Sequence, residues 1–399
     1  MAEAPWELPA RLLERAEGDF VDACRRGPDQ LVYFLLNVGD GDTQLLLLPV
    51  DPHSGQRRAV VVDVATVGKL PALLESLAAE GILPPLDTSG LFPVVVGTHP
   101  HTDHLAGMPE FLGRFGGQVE QFWEPGYYHP SGAFMETMVA LEQHRGIIHL
   151  QPTSGTSCYL GNVKLTVLAP GVGLRNRFDT YGTEVNDASI ALKVEFPAGR
   201  VAWQPDELEP EHRNRVYLRL DAPWSIILGA DAQTTSWAQA AVDFPQLHRG
   251  RNPVLYEELR AAQGRDHLQA QILKVSHHAS KHGINLELVE RIKPRLALVS
   301  SVAGGGRYNF PHLLALEAIR EALEPTTTKA SARSPDHDLG IHYTGARTRA
   351  ADGAGQALGS IALMVPTKRN AKLRLWRLGD EAGDPLDLAL SRRLVRLHA

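Results

Sequence analysis

The sequence predicts an α/β (α+β) fold in which two mixed sheets are flanked by helices. Short apolar runs with the length of buried strands alternate with helical segments along most of the 399 residues. The first two runs, within residues 31–49, flank a Gly/Asp turn and predict a β-hairpin. Strands that alternate with helices after an opening hairpin are typical of mixed sheets covered by helices.

The first part of the chain predicts further helices and strands in alternation. A charged segment with apolar residues at helical spacing predicts a helix over residues 8–26. Other helices are predicted at residues 69–82, 105–116 and 134–146. Strands are predicted at residues 57–68, 91–99 and 118–125. The run at 91–99 is continuously apolar, which indicates burial on both faces.

The second part continues the pattern and ends in a hairpin. Strands are predicted at residues 162–170, 188–196, 224–231, 270–278 and 295–301. Helices are predicted at residues 285–293 and 312–323, and residues 357–378 predict a closing hairpin. Residues 197–222 are polar and charged, which predicts an insertion between two paired strands.

These patterns suggest three segments. Residues 1–30 form an N-terminal helical extension, residues 31–325 form the main domain, and residues 326–399 form a linker with a β-hairpin extension. The composition shifts to Thr, Ala, Ser, Arg and Gly near residue 326, where the linker begins.

The composition narrows the class of protein. A hydrophobic fraction of 43% and a charged fraction of 22% are typical of a soluble globular protein. The formal net charge of −6 argues against a generally basic surface that coats nucleic acid. No secretory pattern and no apolar run of about 18–20 residues is present, so we expect a cytoplasmic protein without a membrane partner. Cys24 and Cys158 are expected to be reduced thiols.

The stretch "VVVGTHPHTDHLAGMPEFL", residues 94–112, contains four metal-ligating side chains within six positions. His99 and His101 are two residues apart at a strand end, so both can converge on one ion. Asp103 and His104 belong to the following turn and can face a second position. Imidazoles and carboxylates suit zinc, manganese or iron, and four of them together favour a metal site over packed histidines.

Further candidate ligands follow other apolar strands. "WSIILGAD" ends in Asp231, which is placed to bridge two ions, and "QILKVSHHASKHG" contains His277 and His278. Asp63 lies at the end of the strand "AVVVDV". It is either a carboxylate that holds the metal loop, the stretch from His99 to His104, from behind, or an ordinary polar residue. The recurrence of a ligand type after an apolar strand favours a shared metal centre.

The motif H-x-H-x-D-H after a buried strand resembles the signature of the metallo-β-lactamase fold. The order of motifs is similar to the hydrolase domain of ComEC competence proteins and their soluble relatives. The matching stretches are "LLNVGDGDT", "THPHTDHLAGMPEFL", "NDASIALKVEF", "ILGAD", "LKVSHHAS" and "RYNFPHLLAL". The resemblance covers roughly residues 31–325 and implies a four-layer αββα sandwich with a C-terminal β extension.

The resemblance also implies roles for individual residues. His99 and His101 would bind a first metal, Asp103 and His104 a second, and Asp231 would bridge them. One of His277 and His278 would complete the second site, and His278 is the favoured ligand. Asp103, His278 and His312 are the implied catalytic residues.

The sequence departs from the family pattern at three places. "TYGTEVNDAS" lacks the histidine that many members supply to the first metal site, so Asn186 or Asp187 is the candidate substitute. Ala279 and Phe310 stand where the pattern has Gly and His, which leaves His312 as the matching histidine. Candidate contacts to a substrate phosphate at the mouth of the site are Ser280, Lys281, His282 and His312.

The residues and the resemblance together predict a metal-dependent hydrolase that uses one or two Zn²⁺ or Mn²⁺ ions and a metal-activated water. The favoured substrate is a phosphodiester in a nucleic acid or nucleotide, which makes the enzyme a phosphodiesterase or nuclease. A first alternative is a hydrolase of a thioester, lactone or β-lactam. A second is a metal-binding scaffold whose terminal segments dock a protein partner.

Overall fold

A computed structural model of the chain describes residues 13–15, 19–175, 184–205, 215–220, 222–246, 266–302, 309–323, 336–347 and 355–388. Its strands are β1 Leu13–Arg15, β2 Leu31–Leu35, β3 Thr43–Leu47, β4 Ala59–Val64, β5 Val94–Val96, β6 Gln121–Trp123, β7 Ile148–Leu150, β8 Ser157–Leu160, β9 Val163–Ala169, β10 Ala191–Phe196, β11 Arg200–Pro205, β12 Arg215–Leu220, β13 Trp224–Leu228, β14 Ile272–Lys274, β15 Leu296–Val299, β16 Ile341–Tyr343, β17 Ile361–Val365 and β18 Leu373–Arg377.

The α-helices are α1 Phe20–Arg26, α2 Lys69–Ala79, α3 Thr102–Leu105, α4 Met108–Phe115, α5 Gly132–Gln143, α6 Val172–Arg175, α7 Thr234–Asp243, α8 Leu286–Ile292, α9 Leu313–Leu323 and α10 Asp336–Leu339. Short 3₁₀ turns lie at Gly116–Gln118, Val185–Ala188 and Ser276–Ala279. Within the described ranges, no helix is long and apolar enough to cross a membrane.

Two mixed sheets form the centre of the fold. The larger has the strand order β1-β18-β17-β2-β3-β4-β5-β6-β7, and β4 to β7 run parallel. The smaller has the order β16-β15-β14-β13-β10-β9-β8, and β13 to β16 run parallel. Strands β11 and β12 pair only with each other among the described strands, as a separate two-stranded sheet.

Three hydrophobic clusters define the layers. Tyr33 of β2, Val62 of β4 and Ile226 of β13 belong to a core that contains residues from both sheets, so the sheets pack face to face. Alternate residues of the larger sheet, such as Phe34, join a second core with α1, α2, α4 and α5. The outer face of the smaller sheet packs with α7, α8 and α9. The predicted four-layer αββα arrangement is therefore confirmed.

The two hairpins meet within the larger sheet. β2 and β3 pair antiparallel as predicted, and so do β17 and β18. β17 also pairs with β2, with Ile361 opposite Leu35, so the C-terminal hairpin is part of the sheet and not an appendage beside it. The division of the chain into three segments remains a prediction.

The predicted helix over residues 8–26 is wrong in its N-terminal half where the structure describes it. Helix α1 begins only at Phe20, with the Asp19 carboxylate accepting the backbone N–H of Val21 as an N-cap. Residues 13–15 instead pair parallel with β18. A local helical pattern was overridden by a free sheet edge, which the sequence pattern does not register. Residues 8–12 and 16–18 of this prediction lie outside the described residues.

The polar segment 197–222 lies between two neighbouring strands. β10 and β13 pair antiparallel, with Phe196 opposite Trp224, although the segment separates them in sequence. β11 and β12 occupy residues 200–205 and 215–220 of that segment. That this segment is an insertion remains a prediction.

A buried ion pair ties the C-terminal hairpin to the main sheet. Lys69 at the start of α2 lies 2.7 Å from the Asp380 carboxylate, and the two side chains are 3% and 5% exposed. Asp380 also accepts the N–H and hydroxyl of Ser360, at 2.6 and 2.7 Å, and its carbonyl accepts the Asn37 amide at 2.9 Å. A buried carboxylate with this many donors is costly to remove.

We expect Asp380→Ala to lower the free energy of unfolding by about 3–5 kcal/mol, because it leaves the Lys69 ammonium buried without its counter-charge. Denaturant unfolding measures the change. The control is Glu381→Ala, one residue along, which removes only an exposed ion pair with Arg347. The control should cost less than about 1 kcal/mol, and equal losses in both variants would contradict the prediction.

Candidate metal centre

Asp231 lies in the middle of the candidate centre, just after β13, and is 1% exposed. Its Oδ1 is 3.2 Å from His104 Nε2 and 3.6 Å from His278 Nε2. Its Oδ2 is 3.7 Å from His99 Nε2 and 3.6 Å from His277 Nε2. Each carboxylate oxygen therefore faces a different pair of imidazoles, as a bridging ligand requires.

On the Oδ1 side, four side chains form a compact donor set. Asp103, His104, Asp231 and His278 each offer a ligand atom, and these atoms lie within 4.8 Å of one another. Asp103 Oδ2 is 3.8 Å from His278 Nε2. The geometry groups His278, and not His277, with Asp103 and His104.

On the Oδ2 side, the histidines of the "THPH" stretch meet a residue from another strand. His99 Nε2 and His101 Nδ1 are 3.2 Å apart. His277 reaches the same carboxylate oxygen from the loop after β14, and the Asn186 amide nitrogen lies 3.4 Å from His277 Nε2. His277 therefore lies on the Oδ2 side of the centre, with His99 and His101.

Two of the imidazoles are oriented by groups behind them. His278 Nδ1 donates to the Ser300 carbonyl at 2.9 Å, which leaves its Nε2 lone pair facing the centre. His104 Nδ1 lies 2.7 Å from the Asp63 carboxylate, which also accepts the backbone N–H and the hydroxyl of Thr98 at 2.7 Å each. Asp63 is thus placed behind the metal loop, and outer groups of this kind fix the ring and raise its basicity as a ligand.

Burial and charge set the protonation of the centre. Burial lowers the pKa of His99 well below its ordinary value, and it also lowers the pKa of His101 and of His277. Neutral imidazoles are the form that binds metal. Burial alone would raise the pKa of Asp231, but the imidazoles around it, led by His104, hold that pKa well below its usual range. The Asp231 carboxylate is therefore ionised.

His104 differs from the other histidines. Burial acts to lower its pKa, but the Asp231 and Asp63 carboxylates outweigh burial and raise the pKa well above the ordinary value. Burial raises the pKa of Asp63. His104 is thus held between two carboxylates, one facing each ring nitrogen.

Backbone strain concentrates at the centre. Asp63, Ala230, His277, His278 and Ala279 all have positive φ, between 43° and 62°. Left-handed conformations of this kind cost roughly 1–3 kcal/mol each in non-glycine residues. The turn that holds His277, His278 and Ala279 is closed by backbone hydrogen bonds from His277 N–H to Ala230 O and from Ser280 N–H to His277 O. The strained turn presents both histidine rings to Asp231.

The buried polar atoms around Asp231 fit a bound cation. His104 Nε2, His278 Nε2 and Asp231 Oδ1 are buried and make no hydrogen bond in the structure. Uncompensated polar atoms of this kind are costly in a protein interior, and a cation between them would satisfy all three. The imidazole and carboxylate donors suit Zn²⁺, Mn²⁺ or iron.

The other predicted site residues lie around the centre, where Asn186, Asp187 and Ser280 are buried and Lys281 and His282 are exposed. Asp187 accepts the N–H of Ser236 at the start of α7, whereas Asn186 contacts His277. Ser280 Oγ accepts the N–H of His282 at 3.3 Å. Lys281 and His282 are exposed on this turn.

His312 lies at the start of α9 and is connected to the strained turn. Its backbone N–H donates to the Ala279 carbonyl, and its Nδ1 accepts the N–H of Leu314 at 3.2 Å. Capping of the helix thus uses one ring nitrogen. Phe310, two residues earlier, packs against the rings of His277 and His278, with ring centroids 5.4 and 5.7 Å apart.

Two buried residues near the centre were missed at the level of sequence. Asp42 and Lys274 are fully buried and form an ion pair beside His278. Asp42 belongs to the "NVGDGDT" motif, and Lys274 is a charged residue within the apolar strand "QILKV". A lysine in a buried strand needs a counter-charge, and that signal could have identified the pair.

The chain was compared with protein families, curated proteins and solved structures. No protein-family model matches it, and no curated protein matches it significantly. Among solved structures, it is similar to the metallo-β-lactamase fold protein YhfI from Bacillus subtilis, at 10% identity and a TM-score of 0.36, over 74% of this chain and 91% of that one. The diiron β-hydroxylase CmlA from Streptomyces venezuelae matches at 12% identity and a TM-score of 0.34, over 73% of this chain and 49% of that one.

A third solved structure is the long form of RNase Z from yeast, at 10% identity and a TM-score of 0.33. That match covers 72% of this chain and 39% of the yeast protein.

We expect Asp63→Asn to weaken metal binding by about 10- to 100-fold, because the amide cannot both accept the two Thr98 donors and hold His104 as the carboxylate does. Isothermal titration of the metal-free protein with Zn²⁺ measures the effect. The control is Asp87→Asn at an exposed position, which should leave the affinity unchanged. Equal affinities for Asp63→Asn and the wild type would contradict the role of Asp63.

Proposed function

We propose that this chain is a metal-dependent hydrolase that cleaves phosphodiester bonds in a nucleic acid or nucleotide. The observation that carries the proposal is the placement of the ionised Asp231 carboxylate, with one oxygen facing His104 and His278 and the other facing His99 and His277. Two ions bridged by one carboxylate suit displacement at a phosphodiester, since both attacking and leaving oxygens need stabilisation.

The residues divide into two candidate sites for Zn²⁺ or Mn²⁺. The second site would be held by Asp103, His104, His278 and Asp231 Oδ1. The first would be held by His99, His101 and Asp231 Oδ2, and we now add His277 as its further histidine. When bound, the ions would supply Lewis acidity to phosphoryl oxygens and lower the pKa of a water molecule.

The exposure of the ligands indicates where a substrate enters. The side chains of His104 and His278 are 0% exposed and that of Asp231 is 1% exposed, whereas the Asp103 side chain is 33% exposed. A substrate therefore approaches over Asp103, and its carboxylate is placed to accept a hydrogen bond from an attacking water. Phe310 packs on the ring of His278.

Rim residues complete the proposed substrate contacts. Lys281 and His282 are exposed on the turn after His278, where their charge and ring N–H groups can meet a phosphate. Ser280 is buried and bonded within the turn, so we assign it to holding the turn. His312 caps α9 through Nδ1, which leaves Nε2 as its nitrogen for a substrate contact.

The substrate class rests on the resemblance of the motifs to the ComEC hydrolase domain. Within the described residues, "THPHTDH", "ILGAD" and "LKVSHHAS" come together at one edge of the sandwich. Cys24 and Cys158 are both free thiols, which agrees with the cytoplasmic location that we propose.

We expect the protein loaded with Zn²⁺ or Mn²⁺ to hydrolyse bis-p-nitrophenyl phosphate, and a double variant Asp103→Ala with His104→Ala to lose roughly 100-fold or more of that rate. The reason is that removal of a single outer group can already cost 10–100-fold. Release of p-nitrophenolate measures the rate, and His53→Ala at an exposed position is the control.

The same assay separates the alternatives. Single-stranded DNA, RNA and cyclic nucleotides identify the natural phosphodiester. Opening of a thioester, lactone or β-lactam without phosphodiester turnover would contradict the proposal and favour the first alternative. Tight metal binding without turnover of any of these substrates would favour a scaffold that docks a protein partner.

We expect His277→Ala to lower the metal content from two ions to one, because His277 lies on the Oδ2 side of Asp231 and the Oδ1 donor set stays intact. Metal analysis after equilibrium dialysis measures the content. The matched variant is His278→Ala, which removes a member of the Oδ1 set. Metal content and affinity unchanged by His277→Ala would show that this histidine is not a ligand.

A further inference from the structure

A buried ion pair between two side chains lies beside the candidate metal centre and takes no part in the backbone hydrogen bonds of either sheet. Lys274 of β14 donates through Nζ to Asp42 Oδ2, and both side chains are 0% exposed. Asp42 comes from the loop between β2 and β3, so the pair joins the two sheets. A buried pair of this kind is weak evidence for stability, because the desolvation of both charges offsets their attraction.

The second carboxylate oxygen of Asp42 faces the metal-ligand shell. Asp42 Oδ1 is buried without a hydrogen bond in the structure and lies 3.9 Å from His278 Nδ1. Asp42 also forms a group with Asp63 and His104, whose candidate ligand atoms lie within 4.8 Å of one another. The carboxylate therefore lies behind two imidazoles at once, on the side opposite Asp231.

The backbone around Asp42 is tied to the same ligands. Its N–H donates to the carbonyl of Asp103 at 3.0 Å. Gly41 approaches so closely that a Cβ there would lie 2.7 Å from the Asp103 carbonyl oxygen, so this position requires glycine. The Gly41 carbonyl accepts the hydroxyl of Ser300, whose own carbonyl accepts His278 Nδ1–H.

We propose that the Asp42–Lys274 pair is a positioning device for the Oδ1 half of the metal centre, acting through His278, His104 and the backbone of Asp103. Lys274 forms an ion pair with one oxygen of Asp42 and fixes it, so that the other carboxylate oxygen presents its charge behind the imidazoles. This charge strengthens the rings as donors to a cation, as outer-shell carboxylates do. The inference rests on the proposed function, since it concerns the same centre.

The test replaces the pair by groups of similar volume, so that no charge is left buried alone. The variant Asp42→Leu with Lys274→Met should fold, because apolar replacement of a buried ion pair is often neutral or stabilising. A second variant, Asp42→Asn with Lys274→Met, keeps the shape of residue 42 and covers the case in which leucine disturbs the loop. Circular dichroism and denaturant unfolding establish that each variant is folded.

The control is the Lys164–Glu195 pair, 3.6 Å apart between β9 and β10. Glu195 lies opposite Ser225, near the start of β13, whereas Asp231 follows the end of that strand. Lys164→Met with Glu195→Gln therefore removes a lysine–carboxylate pair from the same sheet, at the ends of the strands that lie away from the candidate centre.

The readout is the affinity for Zn²⁺ alone, measured by isothermal titration without any substrate. We expect the folded Asp42/Lys274 variants to bind at least one ion about 10- to 100-fold more weakly than the wild type, and the control variant to bind normally. A folded variant with wild-type affinity would overturn the inference and leave the pair as a link between sheets. A wild-type protein that binds no metal would instead overturn the proposed function.

Discussion

The Asp231 carboxylate is the group on which the arrangement of the whole centre depends, because its two oxygens face two sets of imidazoles from different parts of the chain. Burial opposes its ionisation, but His104, His278 and His277 hold its pKa well below the usual range, so the carboxylate is ionised. Without that negative charge, the imidazoles would be a set of buried rings with no common partner. Burial lowers the pKa of His99, His101 and His277, and the neutral imidazole is the form that accepts a cation.

The packing of the two sheets brings these groups together at one edge of the sandwich. Parallel strands β4 and β5 of the larger sheet, and β13, β14 and β15 of the smaller, end at the centre. Asp63 is the second-last residue of β4, and His99, Asp231, His278 and Ser300 follow the ends of the other four strands. The inter-sheet core packs the strands together, and the positive φ angles at this end of the sandwich lie at Asp63, Ala230, His277, His278 and Ala279. A left-handed turn at His277 and His278 is tolerated because hydrogen bonds to Ala230 and Ser300 determine its course.

A layer of oriented groups lies behind the candidate ligands. Asp63 and Ser300 each orient one imidazole, and Asp42, in the turn of the first hairpin, donates its backbone N–H to the Asp103 carbonyl. That hairpin is itself held by β17 and by the network of Lys69 and Asp380. The C-terminal hairpin therefore contributes to the centre indirectly, through the sheet that positions it, although no residue from it enters the donor set in the described part of the chain.

The sequence by itself determined the layered α/β class, most strands and helices, and the identity of the candidate ligands. These follow from local patterns: the period of the apolar residues, and ligand types directly after apolar runs. The metal loop and Asp231 could be recognised because the relevant residues are close in sequence or end a strand.

Only the tertiary structure decided which groups meet. In the structure, His277 and His278 face different oxygens of Asp231. Their adjacent positions in the sequence do not predict this, because it arises from their positive φ angles. The tertiary structure turned Asp187 toward Ser236 and left Asn186 beside His277. It paired Asp42 with Lys274 across 232 residues and gave residues 13–15 to a sheet edge. In each case the deciding energy comes from contacts between distant segments, which no local pattern encodes.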